Sequence, residues 1–432
     1  MKIKGNMIRS IDLFAGIGGI RLGFDNACNA LGYGTECVLS SEIDEQACET
    51  YYMNFKEKPQ GDIHNITDID DFDFLLAGFP CQPFSYAGKQ RGFGDTRGTL
   101  FFEVERILKH HKPTAFLLEN VRGLTTHDSG RTLSTIISHL KDAGYGVQYV
   151  LANSSDYGLP QNRMRIYIVG LLGEVPKITL NSSFGSPDSH KFKSNSANMD
   201  IFYDEKDTPV YVRDILEPTV DKKYHCTDEF ISRLSKVVGS NFSKLNGVRL
   251  IDYRGGQSIH SWELGLKGEC SKDEIDFMNL LISNRRKKHF GKDKDGKKLT
   301  IEQIKTFYNK ANIDEIVTSL LNKGYLKKHD NKLNPVCGNM SFEVFKFIDP
   351  DSISITLVSS DAHKLGVVQN NIPRRITPRE CARLQGFPDS FLIHPIDEFA
   401  YKQFGNSVSI NVIEAVIKDL LINNSKSFTK FK

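Results

Sequence analysis

The sequence predicts an α/β fold, in which a parallel sheet is covered by helices on both faces and a second, smaller domain follows. Three observations support this. Residues 7–175 alternate strand-like and helix-like segments. A glycine-rich turn, "AGIGG", follows the first strand. The steady alternation ends after about residue 180. Such alternation is typical of parallel strands joined by helical crossovers.

The predicted elements follow one another in a regular order. The strand "MIRSIDLF" leads to the helix "GIRLGFDNACNALG", and the strand "ECVLSSEI" to the helix "DEQACETYYMNF". The later segments are the strand "FDFLLAGF", the helix "TLFFEVERILKHH", the strand "PTAFLLENV", the helix "RTLSTIISHLKDAG" and the strands "YGVQYVLAN" and "RMRIYIVGLL". Ligands of such sheets bind beyond the carboxyl ends of the strands, so the turns found there should share one cleft.

Length and composition limit the class of protein. A chain of 432 residues is long for one domain and favours two, or one domain with a large insertion. Hydrophobic residues make up 39% and charged residues 25%, which is ordinary for a soluble globular protein. The net charge of +3 permits a polyanionic partner without requiring one, so any basic surface must be local.

The cysteines and the hydropathy pattern indicate a reducing compartment. None of the eight cysteines forms a C-x-x-C pair, so we expect no metal site. The chain shows no signal peptide, and no apolar run approaches the roughly 18 residues of a membrane span. A cytoplasmic protein with reduced thiols is the simplest interpretation.

Changes in composition suggest the domain boundaries. The segment "LNSSFGSPDSHKFKSNSANMD" is rich in Ser and Asn and resembles a linker. We predict a catalytic, cofactor-binding domain at 1–180, a second domain at 181–400, and a segment at 401–432 that packs back on the first domain. Within the second domain, the basic stretch 284–298 precedes a segment that weakly resembles a winged helix-turn-helix.

The first glycine loop predicts a nucleoside-containing cofactor. Glycines at this turn let a ligand approach the backbone closely. The G-x-G-x-x-G pattern is not met, because Arg21 stands where the third glycine would fall. Glu42, at the end of the second strand, suits a ribose diol, and Asp62 could accept a bond from an adenine amino group. These features favour S-adenosylmethionine over a dinucleotide, although a plain strand-to-helix turn would show the same glycines.

The stretch "GFPCQPFS" predicts a nucleophile. Cys81 lies between two prolines just past a buried strand, which holds the thiol in a stiff frame. A thiolate is a strong nucleophile, although only a few per cent of an ordinary thiol is ionised at neutral pH. The neighbouring strand ends in "ENV" with Glu119, and Arg163 and Arg165 stand two residues apart at the start of a later strand. That spacing places both arginines on one face of a strand.

Together these groups suit chemistry on a pyrimidine. Carbon 5 of cytosine is a poor nucleophile, but a thiolate added at carbon 6 makes it enamine-like. A carboxylic acid kept protonated in a closed pocket can stabilise that adduct at N3, and an arginine can hold O2. Each residue also has a plainer interpretation: an inert buried cysteine, a salt-bridge or helix-cap acid, and arginines of a surface ion pair.

In these motifs the sequence resembles the DNA (cytosine-5)-methyltransferases, chiefly those of bacterial restriction-modification systems. The resemblance covers residues 7–175 and 374–415, about half of the chain. "DLFAGIGG" matches the cofactor loop, "GFPCQPFS" the nucleophile loop, and "ENV" and "QNRMRIYIVG" the catalytic acid and arginine motifs. "RRITPRECARLQGFPDSF" and "YKQFGNSVSINV" match the last two motifs, which implies a Rossmann-like S-adenosylmethionine-dependent methyltransferase sheet with a smaller target-recognition domain.

The resemblance implies roles for particular residues. Cys81 corresponds to the nucleophile, Glu119 to the acid, and Arg163 and Arg165 to the base-pocket arginines. The implied cofactor contacts are Phe14, Gly16, Ile17, Gly18, Glu42, Ile43, Asp62, Ile63, Pro80, Leu100, Asn406, Ser407 and Val408. Ile43 stands where the family often has an adenine-stacking tryptophan, so that contact would become aliphatic. The expected DNA contacts are Ser85, Lys89, Arg97, Arg285, Arg286, Lys287 and Lys288.

The implied reaction methylates carbon 5 of a cytosine that is swung out of double-stranded DNA, at a cost of about a few kcal/mol. Residues 85–98 would form a mobile loop that closes over the DNA. The target-recognition domain would include the hinge motif 374–391, and residues 181–373 would read a short specific sequence. The basic stretch 284–298 would contact phosphates, or would simply be a solvated loop. The resemblance also implies a monomer, and a restriction endonuclease that recognises the same DNA site as its functional partner.

Three other functions remain open from the sequence. A tRNA cytosine-5 methyltransferase shares similar motifs, but the long basic insert and intact "GFPCQPFS" favour DNA. A catalytically silent DNA-binding module is disfavoured because every predicted catalytic group is present. A nicotinamide dehydrogenase would explain only the glycine loop.

Overall fold

The computed structural model describes residues 7–79, 99–181, 209–252, 258–291, 297–336 and 342–429. The chain forms two compact units. The first unit comprises Met1–Glu217, Asp351–Ala362 and Pro378–Lys432, and the second unit comprises Pro218–Pro350 and His363–Thr377. Among the described residues, no helix is long and apolar enough to cross a membrane.

This division differs from the predicted boundaries at 180 and 400. The hinge motif 374–391 is divided between the units after Thr377, and its larger part folds with the first unit. The reason is polar contact within the first unit. The buried carboxylate of Glu380 accepts the backbone N–H of Glu217 at 2.9 Å, and Gln161 Nε2 donates to the backbone carbonyl of Leu384 at 2.8 Å.

A six-stranded sheet forms the centre of the first unit. Its strands are β1 (Met7–Leu13), β2 (Gly34–Ser41), β3 (Phe74–Ala77), β4 (Ala115–Val121), β5 (Tyr145–Asn153) and β6 (Met164–Leu172), in the order β2-β1-β3-β4-β6-β5. The predicted α/β class is confirmed, but the sheet is not wholly parallel: β6 runs antiparallel to both of its neighbours. The short β5–β6 connection contains no α-helix, and parallel neighbours would need a longer crossover.

Helices cover both faces of this sheet. The α-helices of the described chain are α1 (Gly19–Ala30), α2 (Glu45–Phe55), α3 (Thr99–His111), α4 (Arg131–Asp142), α5 (Asp228–Val238), α6 (Lys272–Asn284), α7 (Ile301–Lys305), α8 (Ile313–Asn322), α9 (Pro378–Leu384), α10 (Asp397–Asn406) and α11 (Ile410–Asn423). Alternate side chains of β1 enter different cores: Ile8 lies in one with α1 and α11, and Ile11 in the other with α3 and α4.

The carboxyl-terminal helix α11 packs closely on α1. A Cβ atom at Gly23 of α1 would lie only 2.7 Å from Cβ of Ile413, so glycine permits this approach of the two helices. Val412, Val416 and Leu420 of α11 are fully buried in the same core. The first unit is therefore assembled from both ends of the chain.

The second unit contains two small sheets. Its strands are β7 (Arg249–Leu250), β8 (Ser258–Ile259), β9 (Leu299–Thr300), β10 (Leu326–His329), β11 (Lys332–Pro335), β12 (Lys346–Ile348), β13 (Leu365–Gln369) and β14 (Ile372–Arg375). One sheet has the order β14-β13-β12-β7-β8 and the other β10-β11-β9. The three-stranded sheet shares its core with α6, α7 and α8. The chain order α6-β9-α7-α8-β10-β11 is that of a winged helix.

Candidate active site

The register of the sheet brings the functional turns to one edge. Leu13 at the end of β1 pairs with Ser41 of β2 and with Ala77 of β3, and Ala77 pairs with Leu118 of β4. The residues that follow these positions are the glycine loop, Glu42, Gly78 and Glu119. They therefore start from the same level at the carboxyl edge of four adjacent parallel strands.

The glycine loop turns its backbone outward at Gly16. Both Phe14 and Gly16 have φ of 55°, in the left-handed region that a phenylalanine rarely adopts. A Cβ at Gly16 would meet no atom within 4 Å, so open space lies before this residue. At Gly18 a Cβ would lie 2.2 Å from the ring of Phe55. Of the two glycines predicted to contact the cofactor, Gly16 faces open space and Gly18 faces Phe55.

Glu42 is held in place by backbone N–H groups. Its Oε2 accepts the N–H of Gly16 at 2.8 Å, and its Oε1 accepts those of Ile43 and Asp44, each at 2.8 Å. Carboxylate oxygens have further acceptor capacity. Ile43, the next residue, exposes 74% of its surface, which is unusual for an isoleucine. A fixed carboxylate and an open aliphatic surface thus lie side by side next to Gly16.

The turn that contains Asp62 runs beside the end of β2. Gln60 donates its N–H to the carbonyl of Ser40 at 2.8 Å. Asp62 caps a short 3-10 helix, and its Oδ1 accepts the backbone N–H of His64 at 3.0 Å. Hydrogen bonds from the His64 backbone and ring hold the pKa of the Asp62 carboxyl below its usual range. Ile63 is only 2% exposed and belongs to the core, so its side chain is less available than the carboxylate of Asp62.

The carboxyl-terminal segment "GNSV" meets the glycine loop. A Cβ at Gly19 would lie 2.8 Å from Oγ of Ser407 and 3.0 Å from Cγ2 of Val408. Asn406 is exposed beside them. The fold thus brings these residues to the cleft edge despite nearly 400 intervening positions. Ile17 is buried within the loop, and Leu100 packs on the core from the start of α3. Pro80, Cys81, Ser85, Lys89 and Arg97 lie outside the described residues.

Glu119 combines burial with a nearby guanidinium. The residue is 9% exposed, and Nε of Arg165 lies 3.2 Å from its Oε1. Burial raises the pKa of the Glu119 carboxyl, while the charges of Arg165 and Arg163 oppose that rise. Its Oε2 would lie 3.8 Å from a Cβ at Gly78, three residues before Cys81. A carboxyl with a raised pKa thus stands beside the strand that leads to the predicted nucleophile.

Asn120 is a site residue that the sequence interpretation missed. Its Nδ2 donates to the carbonyl of Phe79 at 3.1 Å, and its Oδ1 accepts the N–H of Val121 at 2.8 Å. The side chain is 2% exposed. Asn120 therefore fixes the backbone two residues before Cys81. The sequence feature that could have identified Asn120 is its position directly after the predicted acid in "ENV".

Arg163 occupies a different place from the predicted one. It is 2% exposed, with Nη1 donating to the carbonyl of Leu357 at 2.7 Å and Nη2 to that of Ser407. Burial lowers the pKa of Arg163 to about 9. Because β6 begins only at Met164, the same-face spacing expected for the two arginines does not apply. Arg165 faces Glu119, whereas Arg163 holds two backbone carbonyls.

The Arg163→Lys substitution should destabilise the protein. One ammonium group cannot reach both carbonyls as the guanidinium fork does, and a buried carbonyl left unpaired costs about 1–3 kcal/mol. We expect the midpoint of thermal unfolding, measured by calorimetry, to fall by several degrees, at about 2–4 °C per kcal/mol. Arg165→Lys, at a more exposed guanidinium, is the control and should move the midpoint much less. Equal midpoints for wild type and Arg163→Lys would contradict the bridging role.

The predicted DNA contacts of the second unit differ in accessibility. Arg286, Lys287 and Lys288 are exposed, but Arg285 is only 2% exposed. Arg285 caps α6 and its Nη1 lies 3.4 Å from Oδ1 of Asn334 on β11. The prediction of a phosphate contact is therefore wrong for Arg285, because the helix end turns its side chain into the unit.

The described cysteines do not resemble nucleophiles. Burial raises the pKa of the thiols of Cys37 and Cys226 to about 12, and of Cys48 and Cys270 to about 11. Cys28 and Cys381 are buried, with raised pKa values as well. All six are free thiols. In the described part of the chain, no group of acidic, histidine and cysteine side chains has the arrangement of a metal site.

Comparisons with known proteins agree on one family. The family model for C-5 cytosine-specific DNA methylases matches residues 8–421. The chain is 68% identical over 417 residues to the Type II methyltransferase M.BanI of Aneurinibacillus aneurinilyticus, covering 96% of each protein. It is 64% identical over 414 residues to the Type II methyltransferase M.HgiCI of Herpetosiphon aurantiacus, covering 96% of this chain and 98% of that protein.

Two solved structures share the fold at lower identity. The methyltransferase EhMeth of Entamoeba histolytica aligns with a TM-score of 0.52 at 17% identity, over 96% of this chain and 98% of that one. A DNA modification methyltransferase encoded within an E. coli prophage aligns with a TM-score of 0.51 at 21% identity, over 97% and 99%.

Proposed function

Because the chain belongs to the C-5 cytosine-specific DNA methylases and is a DNA (cytosine-5)-methyltransferase of restriction-modification type, we propose that Cys81 and Glu119 carry its reaction. The observation that supports this most directly is the Glu119 carboxyl. It is buried, its pKa is raised, and it lies between Arg165 and the strand that leads to Cys81.

Methylation by this family depends on S-adenosylmethionine, and the residues at the strand ends fit it. The cofactor supplies an electrophilic methyl group. The open face of Gly16 admits a ligand to the backbone, and the fixed Glu42 carboxylate can accept the two hydroxyls of a ribose. The exposed Ile43 offers an apolar surface to adenine, and Asp62 an acceptor for its amino group. Phe14, Leu100, Asn406, Ser407 and Val408 would complete the binding site, with Pro80 beside the nucleophile.

The Glu42→Gln substitution should weaken cofactor binding. An amide oxygen can replace only one carboxylate oxygen, so the amide nitrogen would face either the N–H of Gly16 or those of Ile43 and Asp44. We expect the dissociation constant for S-adenosylmethionine, measured by calorimetric titration, to rise about 10–100-fold, as for the loss of about 1.5–3 kcal/mol. Glu45→Gln, on the first turn of α2, is the control. Unchanged affinity in Glu42→Gln would count against the ribose role.

In the proposed mechanism, the thiolate of Cys81 adds to carbon 6 of the cytosine and forms a covalent bond. Glu119 donates a proton to N3, which neutralises the charge that the addition would leave on the ring. Arg165 orients the base through O2 and holds the Glu119 carboxyl. Carbon 5 then takes the methyl group that the bound cofactor would supply, and a base removes the carbon 5 proton. The Cys81 thiolate leaves as the ring double bond re-forms, and the N3 proton returns to Glu119. Asn120 and Arg163 act as positioning residues.

The substrate in this proposal is a cytosine swung out of duplex DNA. The atoms attacked lie inside the base stack of a duplex, so unstacking must precede the reaction, at a cost of about a few kcal/mol. Residues 85–98, with Ser85, Lys89 and Arg97, would close over the DNA. The second unit would read the surrounding sequence, with Arg286, Lys287 and Lys288 on phosphates. A restriction endonuclease of the same specificity is the proposed functional partner, and the enzyme would act as a monomer.

The experiment that tests this proposal is conversion sequencing of plasmid DNA after incubation with the protein and S-adenosylmethionine. We expect cytosines within one short sequence context to be protected from conversion. This protection should be absent when the cofactor is left out. This outcome would also identify the recognition sequence. Methylation of tRNA with no protected cytosine in plasmid DNA would overturn the proposed substrate.

A further inference from the structure

The winged-helix module, residues 271–336, gives the long insert of the second unit a testable role. Its three helices and three strands enclose one hydrophobic core that includes Phe277, Leu320 and Leu333. In helix-turn-helix proteins, the second helix of the motif usually enters the major groove, and its first residues contact base edges. The corresponding helix here is α8, which follows α7.

The exposed start of α8 is acidic. Asp314 and Glu315 in its first turn are exposed, while Ile313, Ile316 and Val317 face the core. A helix N-terminus ordinarily attracts phosphate through its free N–H groups. Two carboxylates in the first turn oppose that attraction when a DNA backbone approaches. The charge of α8 therefore disfavours the usual orientation of such a module on DNA.

The positive charge of the module lies on the hairpin β10–β11. Lys327 and Lys328 on β10 and Lys332 on β11 are exposed. In the antiparallel register, Lys332 is directly opposite His329 on one side and Thr300 of β9 on the other. Directly opposed residues share a face of the sheet, and side chains alternate along each strand. Lys327, His329 and Lys332 therefore share one face, whereas Lys328 is opposite the buried Leu333 on the other face.

The basic loop after α6 begins next to this hairpin. Arg285, the last residue before the loop, contacts Asn334, and Asn334 pairs directly with Lys327. The exposed Lys287 and Lys288 follow within three residues. Lys298 comes just before β9, which pairs with β11. The loop and this face of the hairpin therefore form one surface, which we call the wing surface: Lys287, Lys288, Lys298, Lys327 and Lys332.

The wing-surface lysines differ from other lysines of the module. Lys310 lies 2.6 Å from Asp273, and Lys323 lies 2.8 Å from Glu274, so those charges are neutralised within the fold. Within the described part of the chain, none of the five wing-surface lysines has a carboxylate partner. A cluster of uncompensated ammonium groups attracts a polyanion, and the lysine-rich composition suits phosphates rather than base edges.

We propose that the wing surface binds the phosphate backbone of duplex DNA, with α8 directed away from the major groove. This rests on the proposed function, since it assumes that the second unit meets duplex DNA. The module would contribute affinity for DNA and fix the position of the protein along the duplex. Other parts of the second unit would contact the bases. It follows that removing wing charge weakens binding to all duplex sequences alike.

The test uses the full chain and a duplex of alternating A·T pairs, which contains no cytosine. The variant is Lys298→Gln/Lys327→Gln/Lys332→Gln. Its matched control is Lys112→Gln/Lys141→Gln/Lys426→Gln, which removes the same charge from three exposed lysines of the first unit. Affinity is measured by fluorescence anisotropy across a salt series. Each lost phosphate contact should reduce the salt slope by about 0.9 and the affinity roughly five- to tenfold at about 0.1 M salt.

A second variant, Asp314→Asn/Glu315→Gln, examines α8 directly. If the wing surface binds DNA, this variant should methylate plasmid cytosines in the wild-type sequence context. A changed context would place α8 against the bases, since carboxylates can read cytosine N4, and would overturn the proposal. An unchanged salt slope in the triple lysine variant would overturn it as well. Wild-type methylation of plasmid DNA, run in parallel, separates this failure from a failure of the proposed function.

Discussion

The Cys81→Ser variant is expected to lose methyl transfer by at least about 10⁴-fold, as when the nucleophile of a covalent mechanism is removed. A serine hydroxyl has nearly the same size, but it is not ionised near neutral pH and adds poorly to carbon 6. The rate of transfer of radiolabelled methyl groups to plasmid DNA measures the effect. Binding of S-adenosylmethionine should change little, because the strand-end residues that would hold it are untouched.

Cys270→Ser is the matched control for this substitution. Cys270 is a free, partly buried thiol of the second unit with a pKa raised to about 11, so replacing it should leave the rate near the wild-type value. A Cys81→Ser protein with more than about a tenth of the wild-type rate, well above the loss expected for a covalent nucleophile, would refute the covalent mechanism.

The Glu119→Gln variant is expected to lose about 10²–10⁴-fold in kcat, the usual contribution of a general acid. The amide can still donate a hydrogen bond to N3, but it cannot transfer a proton. Glu105→Gln provides a control for the removal of a buried acid, because Glu105 of α3 is 6% exposed and pairs with Lys109. Single-turnover kinetics on plasmid DNA isolate this step from product release. A wild-type rate in Glu119→Gln would exclude Glu119 as the acid.

The pH dependence of the single-turnover rate, measured for the wild type and for Glu119→Gln, is an independent test of the role of Glu119. Burial raises the pKa of Glu119, so its protonated, active form persists to higher pH than for an ordinary glutamate and is lost as pH rises through that value. The thiolate of Cys81 becomes more abundant as pH rises. The wild-type single-turnover rate should therefore pass through a maximum, whereas the slower Glu119→Gln rate should continue to rise with pH. A decline of both proteins at the same alkaline pH would assign the decline to another group.

The site could be predicted from sequence wherever it depends on strand ends. Glu42, Gly78 and Glu119 follow aligned residues of parallel strands, and that alignment comes from apolar runs that are visible in the sequence. Arg163 could not be placed in this way. Its position depends on where β6 begins and on carbonyls of Leu357 and Ser407, which are remote in the chain. Only the folded structure shows that these distant segments meet.

Two further features were beyond the sequence pattern. The run that forms β6 is apolar after Arg165, which does not reveal whether it lies parallel or antiparallel to β4. Arg285 belongs to a basic run, and charge alone predicts exposure for all of its members. The C-terminal end of α6 instead turns this side chain inward. Composition describes a segment as a whole, whereas burial is decided residue by residue.

The packing of α11 on α1 affects when the enzyme can become active during its synthesis. Ile413, which covers Gly23 of α1, is translated 390 residues after Gly23. At about 5–20 residues per second, α1 must wait roughly 20–80 s for this partner. Ser407, which Arg163 holds, arrives equally late. The first unit therefore cannot be completed before residues 407–413 have been made, and translation products that stop short of them should not methylate the cell's DNA.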